Sequence, residues 1–290
     1  MATIDLRPMS LGEVLDKTFT LYREHFLLFV GITALPNLLG LLFNFGNLFF
    51  TRDLVGRASS PSSSDFPSFG LLGGAFLGAI GGLILYFFVL GVAQAATVSA
   101  VSEIYLGRSI TVRESFRRSK GRVFAVLATL FMTTLLTIVA FVLGIILLFL
   151  PGFYVLCRLA LAIPALIVEN ESPVAAIERS FELTRDWSSV FQVFLLLALA
   201  FVIGASVGGI LQIPTYIYMF TAGIPKFQMS IGVSAYAYIA GFFAKVFVGP
   251  IGLISASLMY YNLRVRKEGF DIQHLMTSLG NAPIPESRPI

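Results

Sequence analysis

The chain has little charge, few histidines and almost no cysteine. Only 12% of its 290 residues are Asp, Glu, Lys or Arg, whereas soluble domains carry about 25%. The single cysteine, Cys157, lies in an apolar run, so the chain cannot form an internal disulfide. Two histidines leave no basis for a His-rich metal site and little for imidazole catalysis. The low charge indicates an integral membrane protein.

Patterns typical of common enzymes are also absent. There is no Walker phosphate loop, no GxSxG, no HExxH and no Cys/His cluster. Intramembrane aspartyl catalysis needs two carboxylates within the spans, and the apolar runs contain none. We therefore expect no enzyme activity, no metal and no cofactor.

The chain is instead rich in long apolar runs, with 57% hydrophobic residues and a mean hydropathy of +0.86. About 20 apolar residues suffice for a helix to cross a bilayer. We predict an all-α integral membrane protein with one membrane domain (1–290) and six transmembrane helices. A tight turn at "LPGF" (150–153) is expected between the third and fourth spans, and a kink at Pro250 in the sixth. The predicted spans are about 26–50, 69–101, 123–150, 152–168, 188–220 and 231–262.

Basic residues are distributed unequally between the two sides of these spans. Fifteen Lys and Arg residues fall on the side of both termini, and three fall on the other side. Positive charge concentrates on the cytoplasmic side of membrane proteins. The first apolar run is too long for a signal-peptide core. We therefore predict a multi-pass protein of the bacterial inner membrane with both termini in the cytoplasm.

Two stretches, 10–32 and 172–204, share a pattern of charged residues followed by an apolar run, and they align without gaps. A weaker third copy covers 111–124. Such similarity indicates internal repeats, as in many transporters. The matched pairs include Ser10 with Ser172, Phe19 with Phe181 and, in the third copy, Ser115 with Ser180.

Each copy predicts a short amphipathic helix ahead of a span, at 10–25, 111–122 and 172–187. In the first, Ser10 and Glu13 match a capping box. These helices are expected to lie in the membrane interface with the apolar face on lipid. They either only orient the spans or form a docking surface for a cytoplasmic protein partner or anionic lipid.

The middle helix is strongly basic. The density of positive charge reflects either the ordinary cytoplasmic bias or contact with anionic lipid headgroups. No nucleic-acid-binding motif accompanies it, so no nucleic acid is expected as a partner. The basic residues closest together are Arg117, Arg118, Lys120 and Arg122.

The second span carries glycines at every fourth position. Small residues at this spacing let another helix approach closely in lipid. The partner helix belongs either to this chain or to a second copy in a homodimer. The glycines are Gly70, Gly74, Gly78 and Gly82.

Two basic residues, Arg158 and Lys245, fall inside predicted spans. Three interpretations of Arg158 are open: it reaches the outer surface, it bonds backbone carbonyls or asparagines of the first span, or it holds an anionic ligand such as a lipid phosphate. Lys245 is expected near the outer interface. If it faces inward, it would form a cationic cavity with Arg158. Asn37 is a weaker ligand candidate, because amides in spans more often bridge helices.

Three stretches together resemble a known bacterial family. They are "LRPMSLGEVLDKTFTLYREHF" (6–26), "LPGFYVLCRLALAIPALIVENESPVAAIERSFELTRDW" (150–187) and "YYNLRVRKEGFD" (260–271). They are similar to the membrane domain attached to some glycerophosphoryl diester phosphodiesterases and also found alone. In the two-part proteins a separate soluble barrel performs metal-assisted cleavage. We expect no such barrel here, so the resemblance implies an anchor or lipid-proximal role rather than that activity.

The leading expectation is a non-enzymatic multi-span membrane module that contacts lipid or a partner protein. The alternative is a small transporter or lipid translocator with a cationic intramembrane site at Arg158. A continuous polar cavity that reaches Arg158 would favour the alternative. A solid interior packed by glycine would favour the first.

Overall fold

A computed structural model describes residues 8–58, 69–145, 148–222 and 230–268. These residues form ten α-helices and no strand. Six segments are long and apolar enough to cross a membrane. The prediction of an all-α, six-span membrane protein is therefore confirmed. The segments are Phe26–Phe49, Phe76–Tyr105, Val112–Leu143, Leu150–Glu169, Trp187–Thr221 and Ile231–Glu268.

The described helices fall into three consecutive units, each a short helix followed by a hairpin of two spans. We call the short helices α1, α4 and α8 the elbow helices. Unit 1 contains α1 (Leu11–Glu24), α2 (Phe26–Ala58) and α3 (Phe69–Tyr105). Unit 2 contains α4 (Val112–Ser119), α5 (Val123–Leu143), and a second span made of α6 (Leu150–Leu159) and α7 (Ala162–Glu169). Unit 3 contains α8 (Pro173–Leu183), α9 (Trp187–Ala222) and α10 (Ile231–Glu268).

The three units pack around one another in a ring. Each elbow helix packs on the second span of the preceding unit: α4 on α3, α8 on α7, and α1 on α10, which closes the ring. The second spans α3, α7 and α10 also contact one another, while α2, α5 and α9 each pack beside a hairpin partner. This approximate three-fold arrangement is what a triplicated helical unit would produce.

The N-cap residues show which positions of the three elbow helices are equivalent. Ser10, Thr111 and Ser172 each cap their helix, and each side-chain oxygen accepts a hydrogen bond of 3.3 Å from the backbone N–H three residues later. The match of Ser115 with Ser180 was therefore wrong by one helical turn, and Ser119 takes that place. The match rested on a shared Ser-Phe pair, whereas the cap decides where a helix begins.

The buried face of α1 lies on protein. Met9 N–H donates to Asn262 Oδ1 at 2.8 Å, and Tyr22 Oη donates to the Phe247 carbonyl at 2.6 Å. Those α10 residues are 15 positions apart, or about 22 Å along a helix. The helix α1 therefore runs alongside α10, and the expectation that its apolar face lies on lipid is corrected. Its buried residues are Val14, Thr18 and Leu21.

One predicted boundary differs from the structure. The reversal between the third and fourth spans comes before "LPGF": α5 ends at Leu143, and Leu148 and Phe149 adopt positive φ. Pro151 then lies in the first turn of α6, where its missing N–H costs nothing. The helix α10 contains Pro250 and continues on both sides of it, and the kink expected there stays a prediction.

Candidate functional site

A cavity of about 420 Å³ lies between α2, α3 and α10. Small-molecule pockets typically enclose about 300–1,000 Å³. Its wall includes Asn37, which lies 11 residues after the start of α2 and so about 17 Å along the span. The cavity therefore brings polar groups into apolar spans. Its principal polar lining residues are Asn37, Asn44, Asn47, Tyr86, Tyr238 and Lys245.

Small residues shape the wall of the cavity. A Cβ on Gly82 would lie 2.4 Å from Phe43 Cε1, so this glycine lets α3 approach α2. Gly78 has no such neighbour within 4 Å. Of the four predicted packing glycines, Gly82 thus makes a close contact within the chain. Gly74 is half-buried in α3, and the surroundings of Gly70 lie outside the described residues.

Packed residues border the cavity toward the start of α2. Thr33 Oγ1 donates to the Val246 carbonyl at 3.1 Å and ties α2 to α10 beside Lys245. Phe29 and Ile32 are fully buried, and Val246 is 2% exposed. A polar passage along α2 toward the elbow helix α1 would have to cross these buried residues.

Lys245 lines this cavity and lies with its Nζ 5.6 Å from the centroid of the Tyr86 ring. That distance is suitable for a cation–π interaction. Within the described part of the chain, no carboxylate lies within 4 Å of Nζ. Lys245 is an exposed residue of α10 that lies on the cavity wall beside the Thr33 contact, and its expected place near the outer interface stays a prediction.

Two asparagines of the cavity are oriented by their own helix. Asn37 Nδ2 donates to the Thr33 carbonyl at 2.7 Å, and Asn44 Nδ2 donates to the Gly40 carbonyl at 2.9 Å. An amide group offers two N–H donors and one oxygen acceptor. Each side chain therefore keeps an oxygen and one N–H for a further partner.

Arg158 lies away from the cavity, at the junction of α6 with α8. One guanidinium nitrogen donates to the Phe181 carbonyl at 2.7 Å, and another to Tyr154 Oη at 3.2 Å. The guanidinium carbon lies 4.4 Å from the Phe181 ring centroid. Its Nε is buried without a hydrogen-bond partner among the described residues. Of the three interpretations, bonding to a backbone carbonyl is the one that these contacts match.

Ser180 and Trp187 complete this junction. Ser180 Oγ donates to the Arg158 carbonyl at 2.5 Å, so the two helices are joined in both directions. The Trp187 ring stacks on Tyr154 at 6.2 Å and is 72% exposed. Arg158 does not meet Lys245 in a common cavity, contrary to the expectation for an inward lysine.

Two residues of the basic middle helix bind other parts of the protein. Arg118 pairs with Glu103 of α3 at 2.5 Å. Arg122 donates to the carbonyls of Asn170 and Glu171 at 3.1 and 3.0 Å, just beyond the end of α7. These contacts give Arg118 and Arg122 a role in joining helices.

The other two basic residues face outward. Arg117 is 77% exposed in its side chain and lies 3.6 Å from Glu114 on its own helix. Lys120 is exposed at the end of α4. Contact of the four basic residues with lipid headgroups stays a prediction, and Arg117 and Lys120 are the two that form no hydrogen bond or ion pair with another helix among the described residues.

An ion-pair cluster that the sequence analysis missed joins α7, α8 and α10. Arg179 Nε lies 3.0 Å from both oxygens of Glu169, and Arg179 also pairs with Glu268. Arg264 Nε lies 3.4 Å from Glu169, and Tyr260 donates to the same carboxylate. Burial alone would lower the pKa of Arg179, but these carboxylates raise it above its ordinary value. The cluster therefore links α7 of unit 2 to α8 and α10 of unit 3.

A second ion pair, between Asp186 and Lys267, lies at the same end of α10. Hydrogen bonds from Lys267 and Ser189 lower the pKa of Asp186 to about 2. Half of the Asp186 side chain is exposed, so solvent weakens this pair. Spacing along the chain could not reveal how α10 joins either site, because Arg179 and Glu268 are 89 residues apart and Asp186 and Lys267 are 81 residues apart.

Comparison of the chain with protein-family models, curated proteins and solved structures gave no match. The geometry of the site therefore carries the functional argument.

Proposed function

We propose that the protein is a non-enzymatic membrane module that binds the polar part of a membrane-borne ligand between α2, α3 and α10. The observation that carries this proposal is Lys245, which lines a polar cavity without a carboxylate partner in the described chain. A charged group within apolar spans is costly unless it is paired, and such residues commonly mark binding sites. A bound anion would supply the missing charge.

The buried residues beside the cavity favour binding over passage. A polar path through the protein would have to cross the packed layer at Phe29, Ile32 and Val246. The second candidate function is a lipid translocator, which the three repeated units favour because many transporters are built from repeats. Its cationic site would be Lys245 rather than Arg158, whose guanidinium is held by Phe181 and Tyr154.

Native mass spectrometry of the detergent-purified protein tests the binding proposal. We expect wild type to carry lipid from the host membrane and Lys245→Met to lose most of it. The matched control is Lys267→Met, which removes a lysine from the same helix at a site far from the cavity. Equal retention by wild type and Lys245→Met, with both folded, would refute the proposal.

The membrane setting is also part of the proposal. The asymmetry of Lys and Arg supports a bacterial inner-membrane location with both termini in the cytoplasm. The resemblance to the membrane domain of glycerophosphoryl diester phosphodiesterases fits a lipid-proximal role. A cytoplasmic protein partner and a homodimer stay predictions. Reporter fusions at each terminus test the topology, and an active periplasmic reporter at either one would contradict it.

A further inference from the structure

We propose that the cavity between α2, α3 and α10 takes a headgroup that is both anionic and hydroxyl-bearing, such as a polyol phosphate ester. This inference rests on the proposed function, because it specifies the chemistry of the ligand in that same cavity. It is argued from charge, from hydrogen-bonding capacity and from size.

The charge of the site selects an anion. Among the described lining residues, Lys245 is the only basic one, and none is Asp or Glu. The ammonium group is a compact point charge with three donors. The ring of Tyr86 lies 5.6 Å from Nζ and helps to hold it in place. A phosphate group beside Nζ would neutralise it, whereas a cationic headgroup would be repelled.

The asparagines match more than a bare anion, because each amide keeps one N–H that can donate to a phosphate oxygen and one oxygen that can accept from a hydroxyl. The Oδ1 atoms of Asn37 and Asn44 receive no hydrogen bond from the described residues, while one N–H of each amide is held by the backbone. An amide oxygen attracts donors and disfavours a nearby negative charge. A ligand that satisfies these oxygens must carry N–H or O–H groups. Because ammonium donors would lie close to Lys245, hydroxyl groups fit better.

The volume limits how much of the ligand enters. About 420 Å³ is large enough for a headgroup and too small for a complete diacyl lipid. Apolar residues of α2 and α3 remain exposed near the cavity, including Leu42 at 60% and Leu83 at 57%. Acyl chains can therefore stay in the bilayer along these helices while the headgroup occupies the cavity.

Competitive native mass spectrometry on the full chain tests the headgroup chemistry. The probes are phosphatidylglycerol (anionic with glycerol hydroxyls), phosphatidic acid (anionic without a polyol group) and phosphatidylcholine (zwitterionic), supplied in equal amounts. We expect wild type to prefer them in that order. The loss of a charge-assisted contact in Lys245→Met should reduce the preference for phosphatidylglycerol over phosphatidylcholine about tenfold. Lys245→Arg keeps the charge and should restore most of that preference.

The double variant Asn37→Leu/Asn44→Leu separates the two parts of the inference. It should keep the preference for anionic lipid but lower that for phosphatidylglycerol over phosphatidic acid about threefold. Thermal unfolding of each variant shows that it is folded, and Lys267→Met is the control for charge. In a further measurement, glycerol phosphate replaces the lipid probes. If the protein retains it, and if that retention requires both Lys245 and the asparagines, the natural ligand is a water-soluble phosphate ester.

The outcomes distinguish the two levels of the proposal. Retention of phosphatidic acid as strong as that of phosphatidylglycerol would overturn the headgroup inference and leave the binding function intact. No Lys245-dependent retention of any probe by the folded protein would overturn both. The inference predicts that Asn37→Leu/Asn44→Leu loses its preference for phosphatidylglycerol over phosphatidic acid while its binding of anionic lipid stays unchanged.

Discussion

The junction around Arg158 and the cavity around Lys245 each place one basic side chain within apolar spans. At the junction, the guanidinium meets a backbone carbonyl, a tyrosine hydroxyl and an aromatic face. At the cavity, the ammonium meets the Tyr86 ring and open space. The protein supplies hydrogen-bond acceptors to the guanidinium, whereas we propose that a bound anion completes the environment of the ammonium.

The difference lies in hydrogen bonding, because neither residue pairs with a carboxylate among the described residues. Arg158 has a fork of donors that matches carbonyl oxygens, so it can join α6 to α8. Lys245 shares the cavity with polar groups that keep hydrogen-bonding capacity, such as the Asn37 amide. We therefore propose a structural role for Arg158 and a binding role for Lys245.

The largest loss of stability is expected for Arg179→Ala, because Arg179 is paired with carboxylates, unlike Arg158 and Lys245. The change leaves Glu169 and Glu268 without their main partner in a largely buried cluster. Breaking such a pair costs about 3–5 kcal/mol in buried sites. We expect a clear fall in the thermal unfolding temperature measured in detergent. An unchanged temperature would show that the cluster does not fasten units 2 and 3.

Arg158→Met should destabilise the protein by about 2 kcal/mol. It removes the donor to the Phe181 carbonyl and leaves that oxygen unpaired. Retention of lipid, in contrast, should stay near the wild-type level. A variant of wild-type stability that loses its lipid would reverse the roles assigned to the two basic residues.

Lys245→Met should leave the unfolding temperature of the lipid-free protein unchanged or slightly higher. Methionine has a similar length and removes an unpaired charge from an apolar span. Measurement after extensive delipidation separates this effect from ligand stabilisation. A large loss of stability in that state would mean that Lys245 has a structural partner in the protein.

Gly82→Ala should lower stability by about 1 kcal/mol and weaken lipid retention. The new Cβ would press on the Phe43 ring, whose nearest atom lies 2.4 Å away, and the ring would shift toward the cavity. Gly78→Ala is the matched control, because its Cβ would meet no atom within 4 Å. Equal effects of the two substitutions would exclude a role for close packing at Gly82.

A small, pH-dependent effect is expected at Asp186, which is half exposed. Its pKa is lowered from 3.8 to about 2, so the ion pair with Lys267 stabilises the fold above pH 4 and is lost as the pH falls toward 2. Solvent screening limits the effect to under about 1 kcal/mol. The difference in unfolding temperature between wild type and Asp186→Asn should shrink over that range. A difference that persists below pH 2 would have another cause.

Hydropathy and cap signals were sufficient to predict much of the fold. Six apolar runs predicted six spans because each crossing needs its own continuous apolar length. Ser10 with Glu13 predicted the start of α1 because capping depends only on neighbouring residues. The register of the third copy failed because Ser115 and Ser119 are both plausible from composition, and only helix geometry separates them.

The candidate site was harder to predict, because side-chain direction in an apolar helix leaves no trace in hydropathy. Lys245 and Asn37 were both candidates, but nothing in the sequence placed them on one cavity. The contacts of Arg158 with Phe181 depend on how α6 crosses α8. Likewise, the pairing of Arg179 with Glu268 joins residues that are 89 positions apart.

Photo-crosslinking with an anionic phospholipid that carries a reactive group on its headgroup tests the central claim most directly. The account predicts labelled peptides from α2 around Asn37–Asn44 and from α10 around Lys245, with labelling reduced in Lys245→Met. Labelling confined to the Arg158 and Trp187 region, unchanged by Lys245→Met, would contradict it.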